Sequence, residues 1–432
     1  MKARKQRGIS FLIMLMIVGT IFILLNPGQG VKAAGGGSST PAASSNPLNC
    51  QLITAGATPV HPPTFPAKFA FGSGPVAAGY TPVLATTAYS ASRGYGFADT
   101  TNLVSVDRGA PDALHRHFIT SSKSFLFNVD VPNGDYTVTV LMGDNAATSA
   151  NTVKAQCGRV VLNKLTTVKG QFSSQTFTVN VADAQLNLQF AWTAPKVEAV
   201  EIDKAPAATT IFLAGDSTVC DQQPMSDPYI SYGGWGQMLT PYFKPGVAIA
   251  NYAGSGRSSI SFINEGRLDA ILKVIKPNDY LFIQFGHNDE HAGSGSSPFT
   301  TYKAALQKYI DGARAHHAIP VLVTPVARRS FDSKGNIVDT HGNYPVAMRQ
   351  LAAADKVQLI DLTALSMAYF QKLGPTGTQS VFFFLNAGVS PDYPNGVKDN
   401  THFQVSGAIL VAGLVADAIK SQNIQPLASD LK

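Results

Sequence analysis

The chain has 432 residues, of which 45% are hydrophobic and 14% are charged. That composition excludes an intrinsically disordered protein, and at roughly 100–200 residues per domain the length predicts two domains. The formal net charge of +6 does not indicate a nucleic-acid partner, because five basic residues precede Ala34 with no acidic residue among them. Subtracting those five charges leaves +1 for the rest of the chain, which is too little for a basic binding surface.

Residues 1–33 have the pattern of a secretory signal peptide. Basic residues precede the apolar run 9–25, and a small-residue site follows it at 31–33. We therefore expect cleavage near Ala34 and a secreted, extracellular protein with no membrane partner after cleavage. The apolar run is close to the ~20 residues of a spanning helix, so an uncleaved anchor and retention at the cell surface stay open.

Three cysteines permit one disulfide in an exported protein. Cys50 and Cys157 both lie in the first half of the chain, so we expect them to pair with each other. Cys220 is then left over, and we expect it to be a small buried side chain.

The first half of the mature chain predicts a linker and an all-β domain. Residues 34–62 contain a Gly/Ser/Pro-rich tract that is too poor in large apolar side chains to pack, which is typical of a flexible linker. Within 63–204 apolar and polar residues alternate in four segments, 136–142, 175–181, 185–192 and 197–203. Period-two alternation bounded by Gly, Pro, Asn and Asp predicts an all-β sandwich.

The pattern changes beyond residue 207, and the segment 207–432 predicts an α/β domain. Five apolar runs lie at 210–215, 247–251, 280–286, 319–324 and 357–362, and helical patterns include 301–315, 344–355 and 404–421. Strands that are apolar throughout and separated by helices predict a five-stranded parallel sheet covered on both faces.

Residues that could carry chemistry follow the first three apolar runs and precede the last helix. Ser217, Gly256 and Asn288 come after successive strands, at the edge where open parallel sheets bind ligands. His402 can take the proton of the Ser217 hydroxyl, and Asp399 can orient the imidazole. Gly256 and Asn288 offer donors for an oxyanion. Each residue alone also fits a cap or a turn, but together they predict a serine hydrolase.

These blocks, "GDST" at Ser217, "GRSS" at Gly256, "GHND" at Asn288 and "DNTH" ending at His402, resemble the SGNH hydrolases, also called GDSL esterases. Within that family they are similar to the rhamnogalacturonan acetylesterases, which have Thr at the position of Thr218. The resemblance implies a flavodoxin-like α/β/α sandwich, a catalytic Ser217–His402–Asp399 triad, and an oxyanion hole at Ser217, Gly256 and Asn288. It also implies deacetylation of a pectic sugar backbone, so that the partner is an acetylated plant cell-wall polysaccharide. We further expect a monomer and no cofactor for catalysis.

The first domain resembles the galactose-binding-like β-sandwich modules that precede such esterases, through the segments 69–83 and 127–144. That resemblance implies carbohydrate binding and a structural calcium ion. A packing domain without a ligand is the alternative.

Four further residues are candidate substrate contacts. Arg257, Arg328 and Arg329 follow strand ends, where guanidinium groups would suit the carboxylates of a uronic-acid polymer. Trp235 fits either stacking on a sugar ring or a place in the core.

A metal site formed by His287, Asp289, Asp399 and His402 is a rival, but no HExxH or CxxC pattern supports one, so we expect no catalytic metal. Asp216 and Asp289 are expected to bind loop backbone. An acetylxylan esterase, another GDSL esterase or lipase, and a non-catalytic carbohydrate-binding protein remain alternative functions.

Overall fold

The computed structural model describes Pro59 and residues 61–156, 158–222 and 230–432. The predicted signal peptide, most of the predicted linker, and Cys50 and Cys157 of the predicted disulfide lie outside these residues. Within the described ranges, no helix combines the length and the hydropathy that crossing a membrane requires.

The first domain is a sandwich of two mainly antiparallel sheets, as the alternating segments predicted. One sheet has the order β10-β7-β12-β1-β2, with β5 also paired to β12 and β4 to β5, and the other has the order β3-β6-β11-β8-β9. Its strands are β1 (Ala67–Phe71), β2 (Thr81–Val83), β3 (Tyr95–Phe97), β4 (Leu103–Asp107), β5 (His117–Ser121), β6 (Phe125–Asp130), β7 (Gly134–Gly143), β8 (Ser149–Ala155), β9 (Arg159–Thr167), β10 (Phe172–Val181), β11 (Gln185–Ala194) and β12 (Lys196–Lys204).

Alternation along the strands builds the sandwich core, because successive side chains of a strand point to opposite faces. In β7, Tyr136, Val138, Val140 and Met142 are each at most 2% exposed and belong to one buried cluster. The same cluster contains side chains from β6 and β11 of the other sheet, so the two inner faces share a single core.

The second domain contains the predicted five-stranded parallel sheet. Its order is β15-β13-β16-β17-β18, and every neighbouring pair is parallel. This is the flavodoxin-like order, in which the first strand lies between the second and the third. The strands are β13 (Thr209–Gly215), β15 (Val247–Asn251), β16 (Tyr280–Gln284), β17 (Ile319–Val323) and β18 (Gln358–Ile360).

Helices cover both faces of this sheet, which explains why apolar residues predominate in its strands. Ile211 and Leu213 of β13 share a core with α5 and α6, whereas Phe212 and Ala214 share another with α1 to α4. The helices are α1 (Ser259–Asn264), α2 (Arg267–Leu272), α3 (Lys303–Ala315), α4 (Tyr344–Asp355), α5 (Leu362–Gly377) and α6 (Val405–Ser421).

The second domain also contains a small antiparallel sheet that the sequence did not predict. It consists of β14 (Tyr232–Gly233), β20 (Val397–Gln404) and β19 (Phe382–Leu385), in that order. β20 contains both Asp399 and His402 and runs directly into α6. The predicted domain boundaries stay predictions; in the structure β12 ends at Lys204 and β13 begins at Thr209.

Candidate active site

Ser217 lies in a tight turn at the carboxyl end of β13. The backbone N–H groups of Val219 and Cys220 donate to the Asp216 carbonyl oxygen at 3.1 and 3.0 Å, which closes the turn. A Cβ atom at Gly215 would lie 2.7 Å from Val219 Cγ2, so the turn needs glycine there. The Ser217 side chain is thereby placed at the sheet edge, 6% exposed.

The structure joins the three residues of the predicted triad in one hydrogen-bonded row. Ser217 Oγ lies 2.8 Å from His402 Nε2, and His402 Nδ1 lies 2.8 Å from Asp399 Oδ2. Asp399 Oδ1 accepts the backbone N–H groups of Thr401 and His402 at 2.8 and 2.9 Å. Because one carboxylate oxygen binds the backbone and the other binds the ring, the imidazole orientation is set.

The Asp399 carboxyl is held in its charged form. Burial raises its pKa, but hydrogen bonds from the His402 ring and from the backbone N–H groups outweigh burial and lower the pKa to about 2. At neutral pH this carboxylate is therefore a fixed negative charge beside His402 Nδ1. Such a charge favours the tautomer that leaves Nε2 unprotonated towards Ser217.

Tyr232, whose ring the sequence suggested for stacking on a sugar, contacts the predicted triad instead, which sequence reasoning did not foresee. Its hydroxyl donates to Asp399 Oδ2 at 3.4 Å, and its ring lies edge-on to the His402 ring with centroids 5.7 Å apart. Pairing between β14 and β20 brings Tyr232 beside the triad from 167 residues away in sequence. A two-residue strand leaves no periodic pattern, so no sequence signal marked this contact.

The two predicted oxyanion donors beyond Ser217 lie on adjoining loops. Gly256 has a φ of +79° and is exposed, and such a backbone favours glycine. The Asn288 side chain donates to the Arg257 carbonyl oxygen at 3.1 Å, which ties the loop after β16 to the loop after β15. Among the described residues, the backbone N–H groups of Ser217 and Gly256 have no hydrogen-bond acceptor.

A buried acid–imidazole pair lies next to the turn that holds Ser217. Asp216 Oδ2 is 3.3 Å from His287 Nδ1, and the two side chains are 0% and 3% exposed. Asp216 Oδ1 accepts the backbone N–H and the hydroxyl of Thr218 at 2.9 and 2.7 Å. Burial would raise the pKa of Asp216, but the His287 ring and the Thr218 donors lower it.

Asp289 holds a different loop. Its carboxylate accepts the backbone N–H of Ser259 at 3.1 Å, which anchors the start of α1. Burial raises the pKa of this carboxyl to about 6. Asp216 and Asp289 thus both bind backbone N–H groups, in agreement with the interpretation from sequence.

Trp235 does not reach the edge where Ser217 lies. Its side chain is 0% exposed, and its indole N–H donates to Gln284 Oε1 at 2.8 Å in the domain core. Stacking on a sugar requires an exposed ring face, so the buried ring of Trp235 does not fit the expected substrate contact and fits the core alternative.

The three arginines are all engaged within the protein. Arg257 Nε donates to Glu265 Oε2 at 2.9 Å, and Arg328 pairs with Glu290. Arg329 donates to Asn400 Oδ1 at 3.0 Å and stacks 4.9 Å from the centre of the Phe384 ring. Their proximity to strand ends reflects the bracing of loops, and their predicted contact with substrate stays a prediction.

The described residues include no group of three or more His, Cys, Asp or Glu side chains that could hold a metal ion. In the sandwich, the buried Asp144 carboxylate is already bound by Arg108 and Lys196, at 2.9 and 2.6 Å. Two cations at that carboxylate do not fit a calcium ligand, and the structural calcium in this domain stays a prediction.

Comparison with known proteins gives matches for both domains. Residues 213–381 match the model of the GDSL-like lipase/acylhydrolase family. Residues 67–199 match a model described as beta-agarase/YXIM esterase-like, galactose-binding domain-like.

Three relatives from Bacillus subtilis (strain 168) are similar over most of their own length. Rhamnogalacturonan acetylesterase RhgT is 44% identical over 210 residues, 49% of this chain and 89% of that protein. The probable rhamnogalacturonan acetylesterase YesY is 41% identical over 228 residues, 52% of this chain and 99% of that protein. The uncharacterized esterase YxiM is 34% identical over 371 residues, which cover 83% of this chain and 91% of that protein.

Proposed function

Because the chain belongs to the GDSL-like lipase/acylhydrolase family and is an esterase, we propose that it removes acetyl groups from rhamnogalacturonan, a pectic polysaccharide. The observation that carries this proposal is the hydrogen-bonded row Ser217–His402–Asp399 at the carboxyl edge of the parallel sheet. The names of the relatives RhgT and YesY support the choice of acetyl ester and of pectic substrate.

The proposed reaction proceeds through an acetyl-enzyme. His402 Nε2 takes the Ser217 proton as Oγ forms a bond to the acetyl carbonyl carbon. The imidazolium then gives that proton to the sugar oxygen as the ester C–O bond breaks, and the sugar leaves as an alcohol. Water attacks the acetyl-enzyme by the same route, releasing acetate and restoring Ser217. Asp399 stabilises the imidazolium in both steps.

The negative charge that develops on the carbonyl oxygen needs donors fixed in advance. We assign this role to the backbone N–H groups of Ser217 and Gly256 and to the Asn288 side chain. The hydrogen bond from Asn288 to the Arg257 carbonyl supports the assignment, because it orients the amide before substrate arrives.

The sequence of residues 1–33 supports secretion, which suits an enzyme for an extracellular plant polymer. Monomeric state, absence of a membrane partner after cleavage and carbohydrate binding by the sandwich domain stay predictions.

The decisive experiment measures acetate released by the full chain from acetylated rhamnogalacturonan, acetylated homogalacturonan and acetylated xylan. We expect rhamnogalacturonan to give the highest kcat/KM. A preference for xylan would replace the substrate with acetylxylan. Absence of turnover on all three polymers and on p-nitrophenyl acetate, with pectin binding retained, would leave a non-catalytic carbohydrate-binding protein.

Variants of the triad test the mechanism on p-nitrophenyl acetate. Ser217→Ala and His402→Ala should each lower kcat by a factor on the order of 10⁴ or more, because the residues act as one unit. Asp399→Ala should retain more activity than either, since Asp399 only orients and stabilises the imidazole. His316→Ala, at an exposed histidine, is the matched control. Most of the activity surviving in His402→Ala, or turnover lost to a chelator, would contradict the triad.

A further inference from the structure

One side chain of the sandwich domain enters the α/β domain next to residues 216–220, the turn that holds Ser217 (the nucleophile turn). Arg159, the first residue of β9, donates from Nε to Asp221 Oδ2 at 2.7 Å and from Nη1 to the Ile249 carbonyl oxygen at 2.7 Å. Asp221 is four residues beyond Ser217, and Ile249 belongs to β15. The neighbouring Val160 of β9 lies in the core of the α/β domain.

This ion pair is largely shielded from solvent, and its carboxylate is fully buried. The Asp221 side chain is 2% exposed and that of Arg159 is 12% exposed. Burial raises the pKa of Asp221, and the Arg159 charge with its hydrogen bond, together with Asn251, opposes that rise. Removing one member of a buried ion pair leaves an uncompensated charge in a medium that solvates it poorly, which is far more costly than losing a surface pair.

Asp221 is also the point where the nucleophile turn is tied to the loop that contains Gly256. Asn251, at the end of β15, donates to Asp221 Oδ1 at 2.8 Å and to the Val219 carbonyl oxygen at 2.9 Å. Gln222, which follows Asp221 in the chain, donates from its side chain to the Ser217 carbonyl oxygen at 2.7 Å. A shift of Asp221 would therefore be passed on to the backbone of Ser217.

From these contacts we propose that Arg159 of the sandwich domain is a positioning residue for the esterase site, acting through Asp221 on the turn that holds Ser217. The sandwich domain then contributes to catalysis by positioning Ser217, whether or not it also binds carbohydrate. This inference rests on the proposed function, because the role of Ser217 as nucleophile belongs to that proposal.

The test uses point variants of the full chain, with kcat and KM measured on p-nitrophenyl acetate. Arg159→Met keeps a long side chain but removes the charge and the donors. We expect its kcat to fall by roughly 10- to 100-fold, because a displacement of about 1 Å in a catalytic group can cost 10²-fold. Arg159→Lys should recover part of that loss, since it restores the charge without the two-pronged geometry.

The control is a second ion pair between the same two domains. Lys276 Nζ lies 3.2 Å from Asp135 Oδ2, and Lys276 precedes β16, at the sheet edge opposite Ser217. Lys276→Met should leave kcat within about 2-fold of the wild type, because the pair does not touch the nucleophile turn and Lys276 itself is 43% exposed. Urea unfolding of every variant establishes that the assays use folded protein.

The double variant Arg159→Met/Asp221→Asn covers the case in which Arg159→Met alone does not fold, because it removes the unpaired charge. We expect it to be more stable than Arg159→Met and still to have a lowered kcat. A folded Arg159→Met or double variant with wild-type kcat and KM would overturn the inference. Absence of Ser217-dependent turnover in the wild type is a different result, because it would refute the proposed function as a whole.

Discussion

His287 should make the stability of this protein depend on pH in a way that one substitution can remove. The ring is 3% exposed, with Nδ1 3.3 Å from Asp216 Oδ2 and its centre 4.5 Å from that of His341. Burial, with smaller contributions from His341 and Arg328, lowers its pKa to about 4, against the opposing charge of Asp216. The folded protein therefore keeps this imidazole neutral at a pH where an unfolded chain would protonate it.

The sign follows from proton linkage. Because the folded-state pKa lies below the unfolded value of ~6.5, the stability contribution is complete above that pH and is lost as pH falls towards about 4. The difference between the two pKa values corresponds to about 3 kcal/mol of unfolding free energy in total. About 2 kcal/mol of this is lost between about pH 7.5 and about pH 5.

Asp289 has the opposite dependence, so the wild-type curve alone is not decisive. Its folded-state pKa of about 6 is above the ordinary value of a carboxyl, and protonation of the folded protein therefore adds stability as pH falls through that range. Comparison with His287→Asn separates the two groups, because Asn cannot titrate and can still donate towards Asp216. In that variant the Asp289 contribution is left in place.

The assay is urea unfolding followed by tryptophan fluorescence at about pH 7.5, 6 and 5. We expect His287→Asn to be less stable than the wild type at the highest pH, because it leaves a small cavity. On acidification it should lose about 2 kcal/mol less than the wild type does. His316→Asn, at an exposed site, should follow the wild type throughout. Parallel curves for the wild type and His287→Asn would refute the argument.

Two further substitutions test contacts that the structure revealed. Tyr232→Phe removes the hydroxyl that donates to Asp399 at 3.4 Å. Because this is one long hydrogen bond, we expect kcat on p-nitrophenyl acetate to fall by only about 2- to 10-fold, with KM unchanged. A loss of kcat above 100-fold would mean that Tyr232 touches the reacting groups. Trp235→Phe leaves the buried Gln284 without its indole donor and should lower the free energy of unfolding by about 1–3 kcal/mol in urea titrations. Its KM for acetylated rhamnogalacturonan should equal that of the wild type, and a raised KM would return Trp235 to the binding site.

The class and order of the main elements could be predicted from sequence because burial imposes a period on each. In β7 apolar and polar residues alternate from Tyr136 to Val140, because one face of the strand is buried more deeply than the other, whereas β13 is buried on both faces and is apolar from Ile211 onward. The small antiparallel sheet of β14, β20 and β19 was not predictable in this way. β14 has only two residues, and β20 reads VKDNTHFQ, in which only Phe403 is fully buried.

Candidate site residues were predictable where the order of the strands determines their position. They were not predictable where their role depends on the direction of the side chain. Ser217, Gly256 and Asn288 follow strands β13, β15 and β16, and parallel strands bring their carboxyl ends to one edge. Trp235 lies in the same segment between β13 and β15 as Ser217, but its ring is buried in the core. Sequence spacing cannot distinguish these two directions outside regular helices and strands.

The sequence by itself predicted an esterase, since it contains a serine, an imidazole and a carboxylate in blocks set at strand ends and before the last helix. Only the tertiary structure decided which groups touch them. Tyr232 contacts Asp399 across 167 residues, and Arg159 contacts Asp221 across 62 residues and from the other domain. The physical reason is that periodicity records whether a residue is buried, which is a local property, whereas hydrogen bonds and ion pairs depend on distances of about 3 Å that exist only after distant segments have packed.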